Sequence, residues 1–137
     1  MNQTFSRAAP SARYKKLVAL YNRIHIEGEP ARNRPLEKVY PGDSLPVHAL
    51  PIKVVIDTAG TRTLLDYGAG KGLQCQWQNL TLSDGRSEPG LKLFWRVDSI
   101  ACYDPAYHSF IALPKGRFDG VISTDVLRDC AARPVEW

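Results

Sequence analysis

The sequence TLLDYGAGKGLQ, residues 63–74, decides the fold of this chain. Its first three residues form a short apolar run that suits a buried strand, and Asp66 follows where that strand ends. Glycines then occupy alternate positions, at Gly68, Gly70 and Gly72. Open α/β sheets use a strand that ends in a glycine-rich turn to bring the backbone close to a ligand. Glycine is needed there because a Cβ would block the tight turn or the approach of the ligand. The stretch therefore predicts a ligand-binding turn at the carboxyl end of a strand.

The glycine spacing separates this turn from two nucleotide-binding motifs. A dinucleotide-binding fingerprint, G-x-G-x-x-G, that began at Gly68 would need its third glycine at Leu73. A P-loop needs a serine or threonine after its lysine, but Lys71 is followed by Gly72. The remaining pattern is D-x-G-x-G-x-G, with the acidic residue inside the motif.

This pattern resembles motif I of the class I S-adenosylmethionine-dependent methyltransferases, and the letters LLDYG-GKG are similar to those of small bacterial members. The resemblance implies an α/β, Rossmann-like open parallel sheet with flanking helices, and S-adenosylmethionine as the cofactor. It implies that Asp66 holds the ammonium of the methionine moiety, a contact that an ionised carboxylate can make. The turn residues that it implies at the cofactor are Gly68, Ala69, Gly70 and Gly72. A plain glycine turn in an unrelated α/β protein is the alternative.

A second motif lies at residues 117–127, RFDGVISTDVL. Residues 118–122 resemble the FD-x-V-I strand that follows the adenine region in this family, and Leu113 is the implied apolar contact to the adenine. Ser123 falls at the carboxyl end of the predicted strand, where an open sheet places its ligand. Asp125 is the candidate catalytic residue, with an N-cap of the following helix as its alternative role. Many relatives continue VLEH, but here Arg128 and Asp129 replace the Glu-His pair, so no role of that histidine carries over.

Two carboxylates compete for the role of binding the ribose hydroxyls of the cofactor. The segment LKLFWRVDSIACY, residues 91–103, contains the next strand. If that strand ends at Tyr103, Asp104 follows it, and the family commonly shows Asp-Pro at this place. If the strand ends at Val97, Asp98 has the role. Asp104 is preferred, although it lies further from Gly72 than the roughly 20 residues typical of a compact βαβ unit.

The rest of the chain divides into two parts. Residues 1–50 comprise an amphipathic helix over 11–25 and a proline-rich segment over 29–51, which is either a lid over the site or a surface wrap. The resemblance implies that residues 51–137 form a partial S-adenosylmethionine-binding domain, and a short helix is predicted over 51–59 before the first strand. A crossover helix is predicted over 73–82.

Composition limits the function classes. The chain has 137 residues, enough for one domain. No apolar run approaches the roughly 18 residues of a membrane span, and residues 1–16 lack the apolar segment of a signal peptide, so we expect a cytoplasmic protein and no membrane.

Cys75, Cys102 and Cys130 form no CxxC pair, so we expect free thiols and no metal site. Residues 1–40 hold eight Lys/Arg and three Asp/Glu, all of them Glu, a net charge of +5. The remainder holds ten Lys/Arg and eleven Asp/Glu, a net charge of −1. We interpret the basic segment as a solvated helix face and do not expect nucleic acid as a partner.

The resemblance covers residues 51–127, and the chain is short of the last strands of a seven-stranded methyltransferase. A truncated gene product, a homo-oligomer or partner chain that completes the sheet, and a reduced domain without transferase activity are the three explanations. The predicted function is methyl transfer from S-adenosylmethionine to an unidentified small-molecule or macromolecular acceptor. The alternatives are a non-catalytic cofactor-binding domain and, lower, a nicotinamide-dependent oxidoreductase.

Overall fold

The computed structural model describes residue 6 and residues 8–124. The helices are α1 (Ala12–Glu27), α2 (Leu45–Ala59) and α3 (Leu91–Trp95); the strands are β1 (Thr63–Tyr67), β2 (Leu80–Thr81), β3 (Ser87–Glu88), β4 (Ser99–Tyr103) and β5 (Gly120–Ile122). Single 3₁₀ turns lie at Pro30–Arg32, Leu36–Lys38, Leu73–Cys75 and His108–Phe110. In this part of the chain, no helix has both the length and the apolar character needed to cross a membrane.

The main sheet has three parallel strands in the order β4-β1-β5. The chain runs from β1 to β4 on one side and then returns to β5 on the other side, so β1 is central. The fold is therefore α/β with a small parallel sheet and flanking helices, which confirms the predicted fold class at this level and is compatible with a Rossmann-like arrangement. Since all three strands are parallel, their carboxyl ends lie at one edge of the sheet.

The amino ends of the strands are fixed by charged side chains. Asp119 accepts hydrogen bonds from the amides of Arg62 and Thr63, at 2.9 and 2.8 Å. The guanidinium of Arg62 donates to both carboxylate oxygens of Asp98, at 2.7 and 3.2 Å. These contacts set the register of β4 and β5 on β1 at the edge opposite the glycine turn.

The hydrophobic core lies between α2, α3, the β2–β3 hairpin and one face of β1. Its most deeply buried side chains are those of Trp95, Leu45, Leu64, Leu80 and Leu91. The indole of Trp95 donates a hydrogen bond to the backbone carbonyl of Ala49 at 2.9 Å, which ties α3 to α2. A buried indole needs such an acceptor because an unpaired N–H in an apolar interior is costly.

Helix α1 agrees with the prediction, but α2 begins six residues earlier than predicted. The Ser11 side chain caps α1 at the Tyr14 amide, and Gly28 ends that helix. Prolines 46 and 51 had indicated an irregular segment up to residue 51. Pro46 lies in the first turn of α2, where no amide is required, and Pro51 lies inside the helix, where the burial of Leu45, Ala49 and Ile56 offsets the lost backbone bond.

The prediction of a crossover helix over 73–82 is wrong. One 3₁₀ turn is followed by β2, which pairs antiparallel with β3. Gly85, at φ 85°, allows the tight turn between these strands. Leu80 and Leu82 are buried while Thr81 is exposed, an alternation with the period of a strand. The sequence does not distinguish this hairpin from a helix, because the three-residue spacing of Trp77 and Leu80 also fits one face of a helix.

Residues 91–103 form a short helix and then a strand. Helix α3 ends at Trp95, and β4 runs from Ser99 to Tyr103. The strand therefore ends where the preferred assignment put it, and Asp104 follows directly. Asp98 precedes the strand.

We predict that Trp95→Phe lowers the free energy of unfolding by about 1–3 kcal/mol, because the buried hydrogen bond to Ala49 and part of the ring volume are lost. Urea denaturation followed by circular dichroism measures the difference. Leu93→Ala is the matched control on the same helix, since Leu93 is 66% exposed, and should change stability by less than about 0.5 kcal/mol. Equal effects of the two substitutions would contradict the assigned role of Trp95.

Candidate functional site

The glycine turn at the end of β1 is held against the end of β4 by backbone hydrogen bonds. The amides of Gly68 and Ala69 both donate to the carbonyl of Tyr103, at 2.8 and 3.1 Å. Gly68, Gly70 and Gly72 have φ values of 82°, 57° and 63°. An L-residue with a side chain is disfavoured at such values, so the alternating glycines are what let the chain turn here.

Asp104 supports the same turn from the neighbouring strand. Its Oδ2 accepts a hydrogen bond from the Gly70 amide, and its Oδ1 accepts one from the Ala106 amide, both at 2.8 Å. The residue is half-buried. An ionised carboxylate has about four lone-pair positions, so Asp104 can accept two further hydrogen bonds while it keeps the turn in place.

Asp98 lies at the opposite end of β4 and is bound to Arg62. The structure thus brings Asp104, and not Asp98, to the glycine turn. The contact of Asp104 with a ribose stays a prediction.

Asp66 is almost completely buried, with 1% of its surface exposed. The side-chain amide of Gln74 donates to its Oδ2 at 2.9 Å and contacts the carbonyl of Ala69 at 3.3 Å. Burial raises the pKa of Asp66 to about 6; the hydrogen bond from Gln74 opposes this shift, and the negative charge of Asp104 adds to it. These contacts place the carboxylate beneath the turn, and the contact of Asp66 with an ammonium group stays a prediction.

Two cysteine thiols lie beside Asp66. The strand register places Cys102 of β4 next to Asp66 of β1, and the 3₁₀ turn after Gly72 brings Cys75 to them. The Sγ atoms are 3.8 Å apart, and the Cys75 Sγ is 4.0 Å from the Asp66 Oδ2. Both thiols are free, as predicted. The three groups have one potential metal-ligand atom each, all within 4.8 Å of one another.

Aromatic residues from the N-terminal part cover the glycine turn. The ring of His25 lies between those of Tyr40 and Tyr107, with 5.1 Å between ring centroids on each side. A Cβ at Gly70 would lie 3.7 Å from Tyr40 and 3.8 Å from the imidazole of His25. His25 is 8% exposed, and its Nδ1 has no hydrogen-bond partner among the described residues. Burial lowers the pKa of His25; Asp104 opposes this effect and Lys71 adds to it.

Two polar contacts attach this N-terminal part to the same edge of the sheet. The Asn22 side chain donates to the carbonyl of Ala106 at 3.2 Å, and the Lys71 ammonium donates to the carbonyl of Leu36 at 2.6 Å. The segment before α2 therefore lies against the glycine turn, where a lid would have to be. Whether it opens as a lid remains a prediction.

The remaining predicted site residues are Leu113, Ser123 and Asp125. Leu113 is half-buried in an irregular segment, and Ser123 is exposed directly after β5. Asp125, the candidate catalytic residue, lies outside the described residues. An open surface depression of about 480 Å³ is lined by Asp43, Pro46, Trp77, Gln78, Asn79 and Thr81. None of these had been predicted to bind the cofactor.

Sequence reasoning missed His25, Gln74 and the pairing of Cys75 with Cys102. The cysteines are 27 residues apart, and only the strand register and the glycine-dependent 3₁₀ turn bring them together. From the sequence, His25 is predicted only as the last residue of a helix. The polar-to-apolar pattern of α1 contains no signal that its last turn packs on the glycine turn.

Comparison with models of known protein families finds no match, and comparisons with curated proteins and with solved structures also find no significant match. The family resemblance therefore rests on the sequence motifs alone.

We predict that the buried carboxylate of Asp66 makes stability fall as pH rises. The pKa of Asp66 is about 6 in the folded chain against 3.8 ordinarily, so the folded chain binds this proton more tightly than the unfolded chain does. The free energy of unfolding should therefore decrease between these two pH values, by up to roughly 3 kcal/mol from this group.

Asp66→Asn removes this titration and keeps an acceptor for Gln74. Urea denaturation in the presence of a metal chelator measures the free energy of unfolding of the wild type and the variant. As pH rises through this range, the wild type should become less stable relative to the variant. Asp43→Asn, which alters an exposed carboxylate, is the control and should show a much smaller change. Parallel profiles for wild type and Asp66→Asn would contradict the assignment.

Proposed function

We propose that this chain binds S-adenosylmethionine at the carboxyl edge of its sheet and transfers the methyl group to an acceptor. One observation carries the proposal: the glycine turn and Asp104 lie side by side at the ends of adjacent parallel strands, and Gly70 is hydrogen-bonded to Asp104. Open α/β sheets bind ligands beyond the carboxyl ends of their strands, at the point where the strand order reverses. Here that point lies at β1, between β4 and β5.

The turn and Asp104 suit different parts of such a cofactor. The glycines leave no Cβ between backbone and ligand, so the methionine part can approach the main chain of residues 68–72. Asp104 has acceptor capacity beyond its two backbone contacts. A vicinal diol donates two hydrogen bonds, so the ribose is the part of the cofactor that this carboxylate fits best.

Asp66 lies beneath the turn and supports it through Gln74. Its Oδ2 accepts from Gln74, which also contacts the carbonyl of Ala69 in the turn. The family resemblance gives Asp66 the methionine ammonium, a contact that its carboxylate can make as an ionised acceptor. An ammonium near this buried group would favour its ionised form and lower the pKa that burial has raised.

The chemistry requires little from the protein beyond alignment. A nucleophile of the acceptor attacks the methyl carbon in line with the sulfonium, the carbon–sulfur bond breaks, and its electron pair stays on sulfur as S-adenosylhomocysteine forms. The protein holds the two reactants in line and excludes water. His25 is buried beside Gly70, and its Nδ1 accepts no hydrogen bond from the part of the chain that the structure describes. Its lowered pKa favours the neutral ring, which can accept the proton of the acceptor. Asp125 is the other candidate for this role.

A non-catalytic cofactor-binding domain is the second candidate function. The Glu-His pair that many relatives carry after this strand is replaced here by Arg128 and Asp129. Val121 on β5 is 64% exposed, so an apolar residue of the sheet is left for a partner chain to cover. Cofactor binding without methyl transfer to any acceptor would favour this candidate.

We predict that the full chain binds S-adenosylmethionine and S-adenosylhomocysteine in calorimetric titrations, and that Asp104→Asn weakens binding about ten- to a hundredfold. Two hydrogen bonds to a charged acceptor of about 1.5–3 kcal/mol each give a loss of this order when they become weaker. A nicotinamide dinucleotide should not bind, because the glycine spacing does not fit it.

Asp98→Asn is the matched control for this titration, because it changes the same residue type at the other end of β4. It should bind both ligands as the wild type does. Thermal unfolding of each variant shows whether the Asp104 variant remains folded, since Asp104 also holds the amides of Gly70 and Ala106. A folded wild-type chain that binds neither ligand, or equal losses in the two variants, would refute the proposal.

A further inference from the structure

Beneath the glycine turn, three groups that ordinarily lose protons to bind a metal are packed together, with their ligand atoms within 4.8 Å of one another. We propose that Asp66, Cys75 and Cys102 form a binding site for a thiophilic divalent metal ion, with zinc as the ion that fits. The inference does not rest on cofactor binding or methyl transfer.

The distances support a tetrahedral site. In a tetrahedral zinc site the Zn–S bonds of about 2.3 Å place two sulfur ligands about 3.8 Å apart. The Sγ atoms of Cys75 and Cys102 are 3.8 Å apart. The Asp66 Oδ2 is 4.0 Å from the Cys75 Sγ, and a contraction of roughly 0.5 Å brings it to a zinc–carboxylate geometry.

The elements that supply the ligands are fixed independently of a metal. Asp66 and Cys102 are register partners on β1 and β4. Gly72 allows Cys75 to approach them, because a Cβ there would lie 2.7 Å from the Phe110 ring and 3.3 Å from the Cys102 Sγ. The ring of Phe110 thus packs over this part of the site.

Gln74 orients the carboxylate. Its side-chain amide donates to the Asp66 Oδ2 at 2.9 Å and is itself buried, with 5% exposed. Metal-binding carboxylates are commonly held by such a second hydrogen bond, and loss of the outer partner weakens metal binding about 10- to 100-fold.

The charges in the cluster also favour a cation. Asp66 is 1% exposed, and a buried carboxylate is stable when it is paired or coordinates a metal. The side chains of Gln74 and Cys75 donate hydrogen bonds to its Oδ2.

The ligand set selects the class of metal. Thiolates favour zinc and similar ions, whereas magnesium and calcium prefer oxygen ligands alone. Three protein ligands are also the number found in zinc sites that leave the fourth position to water. Binding converts two thiols and one carboxylate into ligands of one zinc ion and releases two thiol protons to the solvent, so zinc affinity should rise with pH.

The experiment uses the full chain, reduced with a phosphine and freed of metal by a chelator. Cobalt(II) is the probe, because thiolate-to-cobalt charge transfer absorbs in the near ultraviolet and tetrahedral cobalt absorbs in the visible. We expect one cobalt ion per chain with both absorptions, followed by full displacement by one zinc ion per chain.

Variants locate the site. Cys75→Ser and Cys102→Ser should each abolish tight binding and most of the charge-transfer band, while Gln74→Ala should weaken binding about tenfold or more and keep the spectrum of the bound cobalt. Cys130→Ser is the matched control, since it removes the other cysteine and leaves the cluster intact, and it should bind as the wild type does. Circular dichroism of the metal-free variants shows that they are folded.

Several results would overturn the proposal. The first is a folded, reduced wild-type chain that binds neither cobalt nor zinc. The second is a loss of binding in Cys130→Ser equal to that in Cys75→Ser. The third is formation of a Cys75–Cys102 disulfide as the only reaction of these thiols. A chain that binds zinc and no S-adenosylmethionine would support this inference while it refutes the proposed function, so the two can fail separately.

Discussion

The hydrogen bonds between the glycine turn and the end of β4 are the contacts on which the candidate site depends. The Tyr103 carbonyl accepts from Gly68 and Ala69, and the Asp104 carboxylate accepts from Gly70. Together they join the carboxyl ends of two parallel strands and fix a turn that only glycine adopts without strain. They also determine what lies beneath the turn, because the following residues bring Gln74 and Cys75 onto Asp66. The same short segment therefore shapes both the proposed cofactor site above the turn and the proposed metal site below it.

The two edges of the sheet use carboxylates in opposite ways. At the amino edge, Asp98 and Asp119 are exposed and bind Arg62 and backbone amides, so they set strand register without a cost of burial. At the carboxyl edge, Asp66 is buried and its pKa is raised to about 6, while Asp104 is half-buried and keeps acceptor capacity. A buried carboxylate with a raised pKa at the carboxyl edge of a parallel sheet is typical of a binding site. His25 is a second perturbed group at that edge, because burial lowers its pKa.

Much of the fold could be predicted from the sequence where a pattern is local. The apolar run before Asp66 and the FDGVI strand each specify their own element, and the structure follows them. The segment 73–82 could not be predicted, because Trp77 and Leu80 satisfy a helix period and only the tight turn at Gly85 favours a hairpin. The start of α2 was missed because prolines 46 and 51 favour irregular structure locally, while burial of the helix face outweighs that preference. At the site, Asp104 followed from a strand end, but the Cys75–Cys102 contact depends on register between distant segments, which no local pattern contains.

The central claim is that the carboxyl edge around the glycine turn is where this chain binds an adenosyl cofactor. Amide chemical-shift mapping by NMR during titration with S-adenosylhomocysteine tests it most directly, because each backbone amide reports its own surroundings. The account predicts the largest shifts at residues 68–72 and at Asp104 to Ala106, with small shifts at Arg62, Asp98 and Asp119 at the opposite edge. Shifts confined to the depression lined by Asp43, Trp77 and Asn79, or no shifts in a folded chain, would contradict it.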